Sequence, residues 1–345
     1  MFYGLSRIFS QYKIHLSFFI IFLLFGLFIF TEVTPTRGLT GTRIFLSDSN
    51  SKINISSAGT YILSGYASEA SIVVDVDSDS RVELIFNGLN ISSSENAPVY
   101  VKSAAEVSIS LMDNTENYIT DNRDSATETI ASAAVFSKSD LKISGNGRLT
   151  VSANMNDAIK SKDCLIISGG LINIDSVDDG LVGRDSLEIN GGTISINAAG
   201  DGMKSTNNDD SNTATVIING GNITATAGDE GIDSVYSVEI NGGNTVIIAS
   251  DEGIEAQYVT INDGNLEITA NDDGINITEE TESDTQSFSP MSGGMPVSAN
   301  QTASPNMMRG GGGAGAPGGG REGAGGGAPG GGGMPGGGGM PGGGG

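Results

Sequence analysis

Residues 168–204 read SGGLINIDSVDDGLVGRDSLEINGGTISINAAGDGMK, and this stretch decides the fold. Two motifs occur in it twice. One is acidic, Asp178-Asp179-Gly180-Leu181 and Gly200-Asp201-Gly202-Met203; the other is a turn, Ser168-Gly169-Gly170 and Asn190-Gly191-Gly192. Between them, segments such as Leu187-Glu188-Ile189 and Thr193-Ile194-Ser195-Ile196-Asn197 alternate apolar with polar residues. That alternation, rich in β-branched residues and bounded by Gly and Asn, is the signal of a half-buried strand.

Outward from this stretch the acidic motif recurs as NDAI at 156–159, DEGI at 229–232, DEGI at 251–254 and DDGI at 272–275. Its third residues are spaced by 22, 22, 29, 22 and 21 positions, and the long interval holds a polar insertion, Thr206 to Asn212, read as a surface loop. The turn motif keeps step as Asn219-Gly220-Gly221, Asn241-Gly242-Gly243 and Asn262-Asp263-Gly264. Strands of three to five residues are not stable alone, but stacked coil on coil each finds its partner one rung away. The inward columns are then Leu165, Leu187, Val216, Val238, Val259 and Ile172, Ile194, Ile223, Leu266. The period implies an all-β, right-handed, single-stranded parallel β-helix (a solenoid) of about ten coils over residues 38–278. Asn190, Asn219, Asn241 and Asn262 fall in one column, where side-chain amides at a rung spacing of ~4.8 Å can hydrogen-bond to one another.

Residues 40 to 150 follow the same style less regularly. Strand-like pieces are 53–55, 61–63, 72–76, 82–86, 99–101, 107–111 and 149–151, and the polar stretch Asp113 to Thr129 reads as an external loop.

The two ends differ from this middle. Residues 1–37 read as a signal peptide or an N-terminal membrane anchor: Arg7 and Lys13 precede an uncharged apolar run from Leu16 to Phe30. Either reading places the body outside the cell, secreted or at its surface, with membrane contact through this segment alone. Half of the 52 glycines lie beyond residue 290, and 279–345 reads as a disordered Gly/Pro/Met-rich tail.

Composition narrows the chemistry. The net charge of −24 argues against nucleic acid and for divalent cations or neutral surfaces. A single cysteine, Cys164, allows no internal disulfide, and the single histidine, His15, lies in the N-terminal segment. Ser-His-Asp and Cys-His catalysis and His-based zinc sites are thereby removed. A monomer is expected.

The acidic motif places Asp157, Asp179, Asp201, Glu230, Glu252 and Asp273 in one column, with Asp178, Asp229, Asp251 and Asp272 beside it. Like charges one rung apart repel by about 1 kcal/mol in water and more when buried, so a stack of them needs compensation. Calcium fits, because two oxygens each ~2.4 Å from one ion span about one rung; a solvated acidic edge is the plain alternative. Lys160 and Lys204 stand two positions after the motif's third residue, and Lys162 and Arg184 lie in the column two further on. These cations offset the ladder, contact a carbohydrate, or serve a calcium-dependent lyase, in which Lys160 or Lys204 would take the proton that the metal acidifies. Tyr236 and Tyr258, at matching places before successive strands, suit stacking on a sugar face or packing in a turn.

The recurring acidic-Gly motif, the Gly-Gly strand starts, the opening Ile55-Ser56-Ser57-Ala58-Gly59-Thr60-Tyr61-Ile62-Leu63-Ser64-Gly65 and the Gly/Met/Pro tail together resemble a known family. It is a bacterial and archaeal family of surface carbohydrate-binding proteins, polysaccharide-lyase-like and calcium-binding. Its characterised type binds cellulose and acidic polysaccharides without clear lyase activity. The resemblance covers about residues 50–278 and implies calcium at Asp157, Asp178, Asp179, Asp201, Asp229, Glu230, Asp251, Glu252, Asp272 and Asp273. The family's Gly-Ile-Lys survives only as Ala158-Ile159-Lys160 and Gly202-Met203-Lys204. The expectation is a non-catalytic, calcium-dependent carbohydrate-binding protein, with a lyase or a structural surface stalk as the alternatives.

Overall fold

A computed structural model describes residues 40–48, 52–124, 131–209 and 213–278, which form 25 strands and no helix. The expected export segment and Gly-rich tail lie outside the described residues.

Every strand pairing is parallel, and the strands sort into three ladders. The first runs through Lys52–Ile55, Ser71–Asp75, Val99–Ser103, Ala133–Ser137, Asp157–Ser161, Leu181–Gly183 and Met203–Ser205. It then takes in the starts of Ile232–Ile240 and Ile254–Ile261 and ends on Ile275–Ile277. The second ladder begins at Thr42–Leu46 and includes Cys164–Ile167, Ser186–Ile189 and Thr215–Ile218. The third includes Leu171–Ser176, Thr193–Ala198, Asn222–Thr226, Asn244–Ala249 and Asn265–Ile268. The result is a parallel β-solenoid of about ten turns.

The expected core columns are in register: Leu165, Leu187, Val216, Val238 and Val259 pair rung to rung, as do Ile172, Ile194 and Ile223. Thr245 fills the place between Ile223 and Leu266. Most of these residues are fully buried, so the column is one continuous apolar core.

The glycine motifs have separate causes. In the turn motif the second glycine is left-handed, with φ of 101° at Gly170, 100° at Gly192 and Gly221, and 99° at Gly264, where a side chain would be strained. In the acidic motif the limit is space. A Cβ on Gly180 would sit 2.6 Å from the Gly202 carbonyl oxygen, and one on Gly253 would sit 2.4 Å from that of Gly274.

One expectation fails. Within the supposed loop Asp113–Thr129, Glu116–Asp121 is a strand, and only 125–129 lie outside the described residues. Its inward side chains are Asn117, Ile119 and Asp121, so two of three are polar and the apolar alternation is hidden. Both are satisfied by partners distant in sequence or beyond the strand. Asn117 accepts from the Gly88 and Leu89 amides and donates to the Arg148 carbonyl. Asp121 forms a buried ion pair with Arg123, whose guanidinium also donates to the carbonyls of Ala131 and Ala133.

Candidate metal and carbohydrate-binding face

The acidic motif stands at the entry of the first ladder. Backbone bonds hold it in register: the amides of Ala158, Gly180, Gly202, Gly231 and Gly253 donate to the carbonyls of Asp179, Asp201, Glu230, Glu252 and Asp273. The expected six-residue column therefore exists as a stack. Its side chains, however, do not behave alike along it.

Asp157 and Asp201 are buried and Asp179 nearly so. The Asp179 carboxylate accepts from the Asp201 amide at 2.9 Å, and Asp201 accepts from the Glu230 amide at 2.9 Å. These carboxylates thus tie each rung to the next. Lysines neutralise them: Lys160 Nζ lies 2.6 Å from Asp157, while Lys204 pairs with Asp201 and lies 3.2 Å from Asp233 and 3.9 Å from Asp179. Burial works against the Lys204 ammonium, but its hydrogen bond to Asp201 and the three carboxylates outweigh burial and raise it above the ordinary lysine range. Burial pushes Asp157 up to about 7 despite Lys160.

Two groups of carboxylates converge. Ligand oxygens of Asp157, Asp178 and Asp179 lie within 4.8 Å of one another, as do those of Glu230, Glu252 and Glu255. In the first, Asp157 Oδ1 is buried and has no hydrogen-bond partner. An orphaned carboxylate oxygen at such a depth costs stability unless a proton or a cation reaches it. In the second, carboxyl contact with Asp201, followed by burial and contact with Glu252, pushes Glu230 up to about 9. Oxygens this close suit an ion with metal–oxygen distances of about 2.4 Å and six to eight ligands, as calcium has. Asp229, Asp251, Asp272 and Asp273 are exposed and enter neither group.

The sequence shows Asp233 and Glu255 where lysine stands on earlier rungs, but they are not among the expected metal ligands. Both occupy the outward column that carries Lys160 and Lys204 on earlier rungs. Burial, with Asp201 and Glu255 adding repulsion and Lys204 opposing, pushes Asp233 up to about 6. The signal was the change from Lys to Asp and Glu two positions after the motif glycine.

The expected sugar contacts are less uniform. Lys162 is exposed, whereas Arg184 is tied to Asp185 at 3.2 Å and also to Asp209. Tyr236 and Tyr258 do meet, with ring centroids 5.2 Å apart and tilted by 60°, and Tyr258 is exposed. They are not matched rung for rung: the register shifts between Ser234 and Ser237, and Tyr258 pairs with Ser237.

A parallel solenoid with acidic stacks on one ladder defines a class, and comparison with known proteins narrows it. Residues 49–294 match the family described as carbohydrate-binding domain-containing protein, and the chain belongs to that family. A carbohydrate-binding domain-containing protein of Acetivibrio thermocellus is 36% identical over 133 residues, 37% of this chain and 46% of that protein. The match thus spans less than half the length of that relative. A solved structure, the polysaccharide lyase-like protein from C. thermocellum in a gadolinium derivative, superposes with a TM-score of 0.55 at 33% identity. It covers 66% of this chain and 88% of the other.

Proposed function

We propose that the protein is a non-catalytic, calcium-dependent carbohydrate-binding protein of the adhesion type, displayed outside the cell and holding cell-wall or acidic polysaccharide. Family membership supplies carbohydrate binding. The observation that carries the calcium reading is Asp157 Oδ1, buried and unpartnered beside Asp178 and Asp179. There Asp157, Asp178 and Asp179 would hold one ion, and Glu230, Glu252 and Glu255 a second. Bound calcium would draw the carboxylate or hydroxyl oxygens of a sugar to this edge. The solved relative was obtained as a gadolinium derivative, and gadolinium is, like calcium, a hard cation that prefers oxygen ligands. The uncharged run at 16–30 supports display outside the cell.

The lysines favour binding over elimination. A lyase base must be a free amine, yet Lys160 sits on Asp157 and Lys204 among three carboxylates that keep it protonated. Retention on insoluble cellulose and on polygalacturonate, with calcium and with chelator, tests the reading. Retention lost in chelator is expected. No retention on any polysaccharide sinks the binding role and leaves a structural stalk, and retention indifferent to chelator sinks the calcium role. Absorbance from unsaturated uronate products would turn the reading to a lyase.

A further inference from the structure

We propose a second, metal-independent carbohydrate subsite on the N-terminal rungs of the same ladder, taking a sugar residue that bears a carboxylate. The proposal rests on the carbohydrate-binding reading but not on calcium. Its seat is a cleft of about 560 Å³ across strands Lys52–Ile55, Ser71–Asp75 and Val99–Ser103.

The cleft follows from the outward column. Asn54, Val73, Tyr100, Phe136 and Lys160 pair in sequence along the ladder, so the column that bears the lysines of the acidic rungs begins here as an apolar and aromatic strip. Val73 points outward yet is only 7% exposed, and with the buried Ala97 it gives the cleft an apolar lining. Tyr100 is held before any ligand arrives: its ring leans on Phe136 at 5.7 Å, and Lys138 Nζ stands 6.0 Å from the ring centre. A ring fixed in advance loses little freedom on binding, and an aromatic face beside an apolar lining suits the C–H face of a sugar.

Around the lining stand Lys52, Asn54, Asn96 and Lys102, all exposed. In a chain of net charge −24, two lysines at one cleft are a local reversal of sign. Asp75 is the single carboxylate lining it, 2.7 Å from Lys102. Both partners of that pair are largely solvent-exposed, so the bond is weak and a ligand carboxylate can take its place. No group of three carboxylates gathers at this cleft among the described residues, so nothing here calls for a metal. The geometry therefore separates a lysine-and-ring subsite from the carboxylate stacks further along the same face.

The test is calorimetric titration with a galacturonic acid oligosaccharide, in calcium and in chelator, of the whole protein and two variants, Lys52→Ala with Lys102→Ala and Tyr100→Leu. Thermal melting of each variant reports folding. The expected result is that the unaltered protein keeps measurable binding in chelator and that each folded variant loses at least tenfold of it. A cello-oligosaccharide of equal length should compete poorly. Binding seen only with calcium overturns the subsite and leaves the calcium-dependent reading standing; no binding under either condition overturns the subsite and the acidic-polysaccharide reading, while retention on cellulose decides the wider binding role. A lysine pair variant that binds like the unaltered protein, or equal competition by the neutral sugar, overturns the assignment to a carboxylated ligand.

Discussion

Between Asp157 and Asp201 the acidic stack is buried and carries its own cations, Lys160 and Lys204; from Glu230 to Asp273 it is half-buried or exposed and carries none. The backbone is the same in both halves, and so is the spacing. What differs is how the repulsion between carboxylates ~4.8 Å apart is offset. For the buried Asp157 and Asp201, the counter-charge is attached covalently three residues on. Where the carboxylates reach solvent, Asp233 and Glu255 occupy that column instead and add to the negative charge. The first half offsets most of its charge with its own lysines and leaves the Asp157 oxygen over, whereas the second has no attached cation.

The comparison is sharpened most by the rung that supplies its own cation completely. Arg123→Met leaves Asp121 buried without its partner and should cost about 3–5 kcal/mol of stability, equally in calcium and in chelator, by urea denaturation. Lys204→Met removes the cation shared by Asp179, Asp201 and Asp233 and should cost about 1–3 kcal/mol in chelator, with part regained in calcium. If the loss is the same in both, no exchangeable cation reaches that rung. Smallest is Asp251→Ala, an exposed carboxylate outside both clusters, which should shift stability by no more than about 0.5 kcal/mol and leave calcium stoichiometry unchanged by calorimetry.

From residue 168 onward the rungs were legible because their turn and acidic motifs carry glycines that only glycine satisfies, left-handed in the turn and without room for a Cβ in the acidic motif. The earlier rungs lack that punctuation. The strand Ala133–Ser137, AAVFS, is buried on both faces and shows no alternation, and Glu116–Asp121 hides its inward face behind Asn117 and Asp121. The acidic column could be counted from the repeat, but not its division into clusters. That depends on which carboxylate oxygens are taken by the next rung's amide, as at Asp179 and Asp201, and which are left over, as at Asp157. Such contacts join residues 22 to 29 positions apart, and a motif read along the chain does not carry them.

The asparagine column bears on how the molecule ages. Asn219 donates to Asn190 at 2.8 Å, Asn241 to Asn219 at 2.9 Å and Asn262 to Asn241 at 2.6 Å, all on the exposed turn. Three of the four precede glycine, the context in which asparagine loses its amide most readily, and such residues are the thermolabile ones of a long-lived protein. Here each amide is clasped by its neighbour, so the side chain must leave the column before it can react with its own backbone. A first conversion to aspartate would remove one donor and set a carboxylate against an amide oxygen one rung away. Wear would then spread from the first broken link, and the durability of the turn rests on the column as a whole.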